Sequence, residues 1–284
     1  MPELPEVEVL VRHLEPLLVG QRVRQTEVRR AKVVQPSSAA GLASVLRGAR
    51  FTALRRRGKY LVFTLRPHGS RQEFALLGHL GMTGRMYLQP AREPLPKHAA
   101  VVLDLGRSRF VFEDPRYFGR LTLDLTPLAR LGPEPLDGEF TAAVLGHALD
   151  RSRQAVKVKL LDQSVVAGVG NIYASEALFR AGISPRLAAR RLKPAQCARL
   201  CEAIREVLAE AIAFGSTVPL NWAGRTSGDG LFYYGRAEGA ADYYEERLEV
   251  YDRAGQPCRR CGATVRRLVQ AARSTFYCPG CQRS

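Results

Sequence analysis

Two pairs of cysteines near the C-terminus constrain this chain more than any other feature. Cys258-x2-Cys261 and Cys278-x2-Cys281 stand 16 residues apart. That spacing is the pattern of a zinc ribbon. Four thiolates complete a tetrahedral shell with no open position, so one structural Zn2+ is expected rather than a catalytic ion. The residues between the pairs read as a hairpin. So small a lobe has too little core to fold by burial alone, and metal binding supplies part of its folding energy. The remaining cysteines, Cys197 and Cys201, share a helical face with Leu200, Ile204 and Leu208. Two ligands are too few for a metal site, and a buried apolar face is the expectation for them.

The chain has 284 residues and 46% hydrophobic content, enough for more than one core. Lys and Arg total 43 against 27 Asp and Glu, a formal net charge of +16. That excess favours a polyanion as partner. The zinc lobe repeats it, with seven arginines and one acid, Asp252, between residues 250 and 284. No run of 18 apolar residues occurs, so no membrane-spanning helix is expected. The start lacks a basic segment followed by an apolar one, so no signal peptide is expected either. A cytoplasmic location follows as the expectation, where thiols stay reduced.

Periodicity divides the chain. Val7, Leu10, Val11 and Leu14 repeat at helical spacing behind Pro5, with Glu6 and Glu8 at the positive end of the dipole. Residues 22–125 read as strands, among them Lys59–Leu65, Ala99–Leu105 and Arg109–Glu113, which predicts a sandwich or barrel-like sheet. Leu131-Gly132-Pro133-Glu134-Pro135 reads as a linker. Helical spacing returns beyond it, with Phe140, Val144, Leu145 and Leu149 on one face. From Gly215 to Asp242 the pattern fades into Gly, Ser, Asn and aromatics.

Several residues invite two readings. Met1 precedes a small residue and is expected to be removed, leaving a secondary amine on Pro2. An α-amino group titrates near ~8, so part of it is neutral and nucleophilic at physiological pH. Glu3 beside it could shuttle a proton. The same residues also make an ordinary helix start, and both readings can hold. In Gly168-Val169-Gly170-Asn171, the asparagine is a natural N-cap and the glycines expose backbone N–H groups that bind phosphate. Lys157 and Lys159, one helix upstream, could add charge. Lys59 reads as a strand-edge lysine, Met82 and Phe118 as core, and Arg273 as a hairpin arginine facing solvent or phosphate.

Taken in order, Pro2-Glu3-Leu4-Pro5, Arg57-Gly58-Lys59-Tyr60, His79-Leu80-Gly81-Met82-Thr83-Gly84, Asp114-Pro115-Arg116-Tyr117-Phe118-Gly119, Gly168–Glu176 and the four cysteines resemble the bacterial formamidopyrimidine-DNA glycosylases over nearly the whole length. Leu4-Pro5 resembles that branch rather than the endonuclease VIII branch. The resemblance implies an α+β fold. Its parts are an N-terminal helix with a catalytic β-sandwich domain (1–130), a helical helix–two-turns–helix (H2TH) DNA-binding domain with a lesion-recognition loop (136–246), and a four-cysteine zinc finger (247–284).

The implied activity is base-excision DNA repair by a glycosylase and AP lyase acting on oxidised purines, formamidopyrimidine and 8-oxoguanine. Its partner is double-stranded DNA containing a damaged base or abasic site; a monomer associated with the bacterial nucleoid is expected. Pro2, Glu3, Lys59 and Glu6 are implied in catalysis. His79, Met82, Arg116, Phe118, Lys157, Asn171, Tyr173 and Arg273 are implied in DNA binding, with Met82, Arg116 and Phe118 filling the gap left by an extruded base. Tyr117 departs from the second arginine found in many relatives, which is expected to alter a backbone contact and leave the wedge intact.

Ser216, Thr217 and Tyr243 match the ends of the lesion loop. Between them Asn221–Ala241 is longer than the family usually has and carries Trp222, Phe232, Tyr233 and Tyr234. Two readings stand: these aromatics stack on an extruded base and rebuild the lesion pocket, so that 8-oxoguanine is cut less well than formamidopyrimidine, or they pack the loop against the domain. Two alternatives stand beside this: a non-catalytic binder of damaged DNA, and an endonuclease VIII-like glycosylase for oxidised pyrimidines. A pure binder has no need of Pro2, Glu3 and Lys59 together.

Overall fold

Apolar alternation in the N-terminal half closes two sheets on one another. The structure, a computed structural model, describes residues 2–215 and 248–283. These fall into two units: Pro2 with Glu6–Ala129, and Glu3–Pro5 with Arg130–Phe214 and the residues from 248 onward. Met1 and the expected lesion-loop residues Ser216, Thr217, Tyr243 and Asn221–Ala241 lie outside the described residues.

In the first unit, β1 (Gln25–Val28), β6 (Ala99–Asp104), β7 (Ser108–Glu113) and β5 (Arg85–Pro90) form one antiparallel sheet in the order β1-β6-β7-β5. A second sheet runs β2 (Arg50–Arg57), β3 (Tyr60–Arg66), β4 (Phe74–His79), β8 (Arg120–Thr122). Inward residues of both sheets share one core, and Phe63 meets Phe110 edge-on at 5.6 Å between ring centroids. Helix α1 (Leu4–Leu18) adds Val7, Leu10, Val11 and Leu14, all buried as its periodicity predicts.

The expectation of strands throughout 22–125 needs correcting. A 3-10 turn (Ala31–Val34) and α2 (Ala39–Leu46) interrupt them. The signal was present in Ser38, whose Oγ accepts the Gly41 N–H at 2.9 Å and caps α2. A four-residue helix, α3 (Thr126–Ala129), ends the unit.

The second unit is helical, with a terminal hairpin. It holds α4 (Ala142–Leu149), α5 (Val156–Leu160), α6 (Asn171–Arg180) and α7 (Pro194–Gly215), then β9 (Arg266–Gln270) paired with β10 (Arg273–Tyr277). Two turns join α5 to α6, giving the H2TH arrangement. The expected linker 131–135 is held rather than loose: Gly132 N–H donates to the Gln163 carbonyl, and Ala167 N–H to that of Pro133. Phe140, Leu145 and Leu149 are buried as expected, but Val144 is exposed; α4 buries a narrower stripe than the pattern suggested. Cys197 and Cys201 are buried on α7, as read. Among the described residues no helix is long and apolar enough to cross a membrane.

Candidate functional site

The second unit explains the two glycines of Gly168-Val169-Gly170-Asn171. Gly168 has φ +84, and a Cβ there would lie 2.6 Å from Leu4 Cβ. At Gly170 a Cβ would lie 2.3 Å from the Glu3 carboxyl carbon. Both positions are cut away to seat the N-terminal residues. Leu4 N–H donates to the Gly168 carbonyl at 3.0 Å. Glu3 Oε1 accepts from Ile172 N–H at 2.9 Å and Oε2 from Tyr173 N–H at 3.3 Å. Glu3 is 2% exposed.

Two expectations are corrected here. Asn171 is not the N-cap of α6: Gly170 occupies that position and makes no side-chain cap. The amides of Ile172 and Tyr173 are not bare either, because a carboxylate 169 and 170 residues away in sequence occupies them. Glu3 thus does for α6 what a bound anion does at a helix start.

Released from capping, Asn171 works sideways. Its Oδ1 accepts from Lys157 Nζ, and its Nδ2 donates to the Ser274 carbonyl at 3.0 Å. Lys157 Nζ lies 3.4 Å from the same carbonyl. Lys157 on α5, Asn171 on α6, and Arg273 with Ser274 on β10 therefore meet in one basic cluster. Burial pushes the Lys157 ammonium down to about 8; Glu3 opposes that shift and Arg273 adds to it. Arg273 itself is exposed. Tyr173 is buried, and so is Lys157.

Sequence reasoning missed Glu176. This buried carboxylate accepts three backbone N–H groups: Glu249 at 2.8 Å, Val250 at 3.0 Å and Tyr251 at 2.8 Å. It fastens the stem of the zinc lobe to α6. Burial raises its carboxyl above the ordinary range, and the three bonds oppose that. The motif Ala174-Ser175-Glu176 was the only signal, and nothing local reveals the partner.

The four Sγ atoms of Cys258, Cys261, Cys278 and Cys281 lie within 4.8 Å of one another, with Cys258–Cys281 at 3.9 Å and Cys261–Cys278 at 3.4 Å. Ligands at ~2.3 Å from a tetrahedral zinc are about 3.8 Å apart. The donor set and its size therefore fit one structural zinc ion. Phe179 of α6 joins Val250, Val265 and Phe276 in the small core beside it, and Arg260 lies over the Phe179 ring at 4.6 Å.

In the first unit, Pro2 and Glu6 are buried. Lys59 sits in the β2–β3 turn and is 7% exposed, so the solvent-facing reading does not hold. His79 ends β4 and accepts the Gly81 N–H on Nδ1 at 3.2 Å. Burial, helped by Lys59 and Arg120, holds its ring down at about 4, so it is neutral at physiological pH.

Met82 is 43% and Phe118 46% exposed, which rejects the core reading of both. Arg116 lies over the Phe118 ring at 4.8 Å. The two loops that carry these side chains touch through glycines, since a Cβ on Gly81 would lie 2.6 Å from the Gly119 nitrogen. Tyr117, at φ 53, packs against the core with Arg30 over its ring at 5.3 Å.

With this geometry in place, comparison with known proteins is direct. Residues 1–121 match the family model of the formamidopyrimidine-DNA glycosylase N-terminal domain, 131–220 that of its H2TH domain, and 255–283 the zinc finger found in FPG and IleRS. The chain belongs to the formamidopyrimidine-DNA glycosylase family. It is 44% identical to the formamidopyrimidine-DNA glycosylase of Paracoccus denitrificans (strain Pd 1222), with 100% of both chains covered. Among solved structures it resembles the complex of Lactococcus lactis Fpg with abasic-site DNA, at TM-score 0.85 and 31% identity, covering 99% of this chain and 100% of that one. It also resembles the complex of wild-type Lactococcus lactis Fpg with N7-benzyl-Fapy-dG DNA, at TM-score 0.86 and 31% identity over 100% of both chains.

Proposed function

We propose that this chain is a bifunctional base-excision repair enzyme: a DNA glycosylase for oxidised purines, formamidopyrimidines and 8-oxoguanine, and an AP lyase. It acts on double-stranded DNA in the cytoplasm, at the bacterial nucleoid. One observation carries the reading. Glu3, the residue after Pro2, is locked onto the start of α6 by two backbone N–H groups, with glycine required at 170 to admit it. A chain end held so firmly is suited to present an amine to a fixed point on a substrate.

Removal of Met1 frees the Pro2 nitrogen. That amine attacks C1′ of the damaged nucleoside; the glycosidic bond breaks and its electron pair leaves with the base, which takes up a proton. The ammonium formed on Pro2 loses its proton, and the nitrogen lone pair so restored expels the ring oxygen, O4′, which is protonated with the help of Glu3, so that an iminium joins enzyme to open sugar. A secondary amine forms an iminium with no N–H to lose, so it stays cationic and draws electrons at any pH. Loss of a C2′ proton expels the 3′ phosphate, and a second elimination expels the 5′ phosphate. Lys59 steadies negative charge on the nucleotide, and Glu6 supports the N-terminal residues.

DNA is gripped by the Lys157, Asn171 and Arg273 cluster, and His79 contributes from the first unit. Met82, Arg116 and Phe118 fill the stack after the base leaves it. When bound, zinc organises the hairpin lobe; its shell is closed by four thiolates, so it takes no part in bond breaking. The test is borohydride reduction on lesion-containing duplex. The native protein is expected to be trapped covalently, and a variant with its N-terminal amine blocked is not. Undiminished trapping by the blocked variant overturns the reading.

A further inference from the structure

The two loops carrying Met82 and Arg116–Phe118 share one buried carboxylate that the chemistry does not use. Asp114 is 0% exposed. Its Oδ1 accepts from Thr83 Oγ1 at 2.7 Å and from Arg116 N–H at 3.1 Å, and its Oδ2 accepts from Gly119 N–H at 2.8 Å. Thr83 adjoins Met82 in one loop; Arg116 and Gly119 bracket Phe118 in the other.

We infer that Asp114 is the positioning residue of the wedge, clamping both loops so that three exposed side chains act as one rigid body. This rests on the reading of Met82, Arg116 and Phe118 as the wedge. The physical need is plain. Extruding a base costs a few kcal/mol of stacking and pairing, and a support that yields under that load gives way before the base does. The apolar tips cannot stiffen themselves, since they are exposed. Their backbones touch at Gly81 and Gly119, where no side chain can interlock. A carboxylate taking three bonds from two loops, two of them at 2.7 and 2.8 Å, supplies directional, charge-assisted restraint. Thr83 is the link that spans them, because the other two donors lie on Asp114's own loop.

The experiment uses the full-length protein and two substrates: a duplex with a central formamidopyrimidine, where the base must be extruded, and a single-stranded oligonucleotide with an abasic site, where nothing is extruded. Thr83→Val removes one bond while keeping the shape; Thr83→Ser restores the hydroxyl. Single-turnover excision from duplex is expected to fall about tenfold in Thr83→Val, the equivalent of one charged hydrogen bond. Strand cleavage at the single-stranded abasic site is expected to stay within about twofold. Thr83→Ser is expected to recover the duplex rate, and Asp114→Asn, which turns an amide N–H toward one of the donors, to lose more than Thr83→Val on duplex.

Met82→Ala and Phe118→Ala, run in parallel, test the wedge itself. If they slow duplex excision and Thr83→Val does not, the clamp is wrong and the wedge stands. If neither alanine variant slows duplex excision, the wedge reading fails and the clamp with it. Equal losses on both substrates in Thr83→Val, or failure of Ser to rescue, would assign Asp114 and Thr83 to folding alone and also overturn the proposal.

Discussion

The β-sandwich and the helical, zinc-bearing unit are held together by different physics. In the sandwich, a continuous core of Leu, Val and Phe from two sheets and α1 fixes the shape, and Glu6, Lys59 and Asp114 are the few ionisable side chains buried beside it. In the second unit, single polar side chains reach into the backbone of distant segments. Glu3 holds the start of α6, and Glu176 holds residues 249–251. Gln282 joins Cys278 N–H to the Ile183 carbonyl, and more locally Arg253 donates to the carbonyls of Glu249 and Pro257, four residues to either side. An apolar core tolerates many substitutions of similar volume. A buried polar tie does not: removing one partner strands the other without water. The second unit should therefore fail at single residues where the sandwich absorbs change.

Metal removal gives the largest contrast. Cys261→Ser, or chelation, is expected to unfold the hairpin lobe and abolish tight DNA binding while the sandwich stays folded. Metal analysis, circular dichroism and DNA titration check this, and zinc-free protein that binds DNA normally contradicts it.

Next is Glu3→Gln. The amide turns an N–H toward one of the two α6 donors and cannot supply a proton. Base excision is expected to fall by about 10²–10⁴, the usual worth of a general acid. Cleavage of a pre-formed abasic site, whose hemiacetal ring opens to the aldehyde in water without the enzyme and from which no base has to leave, is expected to fall far less. Equal losses on both substrates would assign Glu3 a capping role only.

A smaller effect comes from Lys157. Its folded-state value of about 8 lies below the ordinary 10.5. Below about 8 it is charged in both folded and unfolded chains, so the cost of burying that charge is carried in full. Between about 8 and 10.5 the unfolded chain binds more protons, so the Lys157 contribution to stability rises with pH. DNA affinity moves the opposite way, falling as pH rises through about 8 and the ammonium is lost. Lys157→Met is expected to flatten that pH profile, measured by DNA titration from pH 7 to 9.

The smallest effect is on salt dependence. Arg273→Ala should lower the slope of log affinity against log salt by about one unit, as loss of one phosphate contact does. An unchanged slope removes Arg273 from the DNA grip.

Legibility in the sequence follows the same division. The sandwich core was readable, because alternation along a strand is a local signal: β3, β6 and β7 stand where the pattern put them. The zinc ligands were readable because both knuckles are local. The ties of the second unit were not. The two glycines before Asn171 were legible as special, but their reason, the arrival of Glu3 and Leu4, comes from the other end of the chain. Glu176 and Asp114 stood inside quoted motifs, yet their partners lie 73–75 and up to 31 residues away. The exposure of Met82 and Phe118 was equally silent in their spacing.

The central claim is that the amine of Pro2 is the nucleophile, and the most direct measurement is the address of the covalent bond. Protein trapped with borohydride on formamidopyrimidine-containing duplex can be digested with protease and nuclease and mapped by mass spectrometry. The account predicts a reduced sugar remnant on the nitrogen of Pro2, in a peptide lacking Met1. A remnant on Lys59 or another lysine side chain, with Pro2 unmodified, would contradict it.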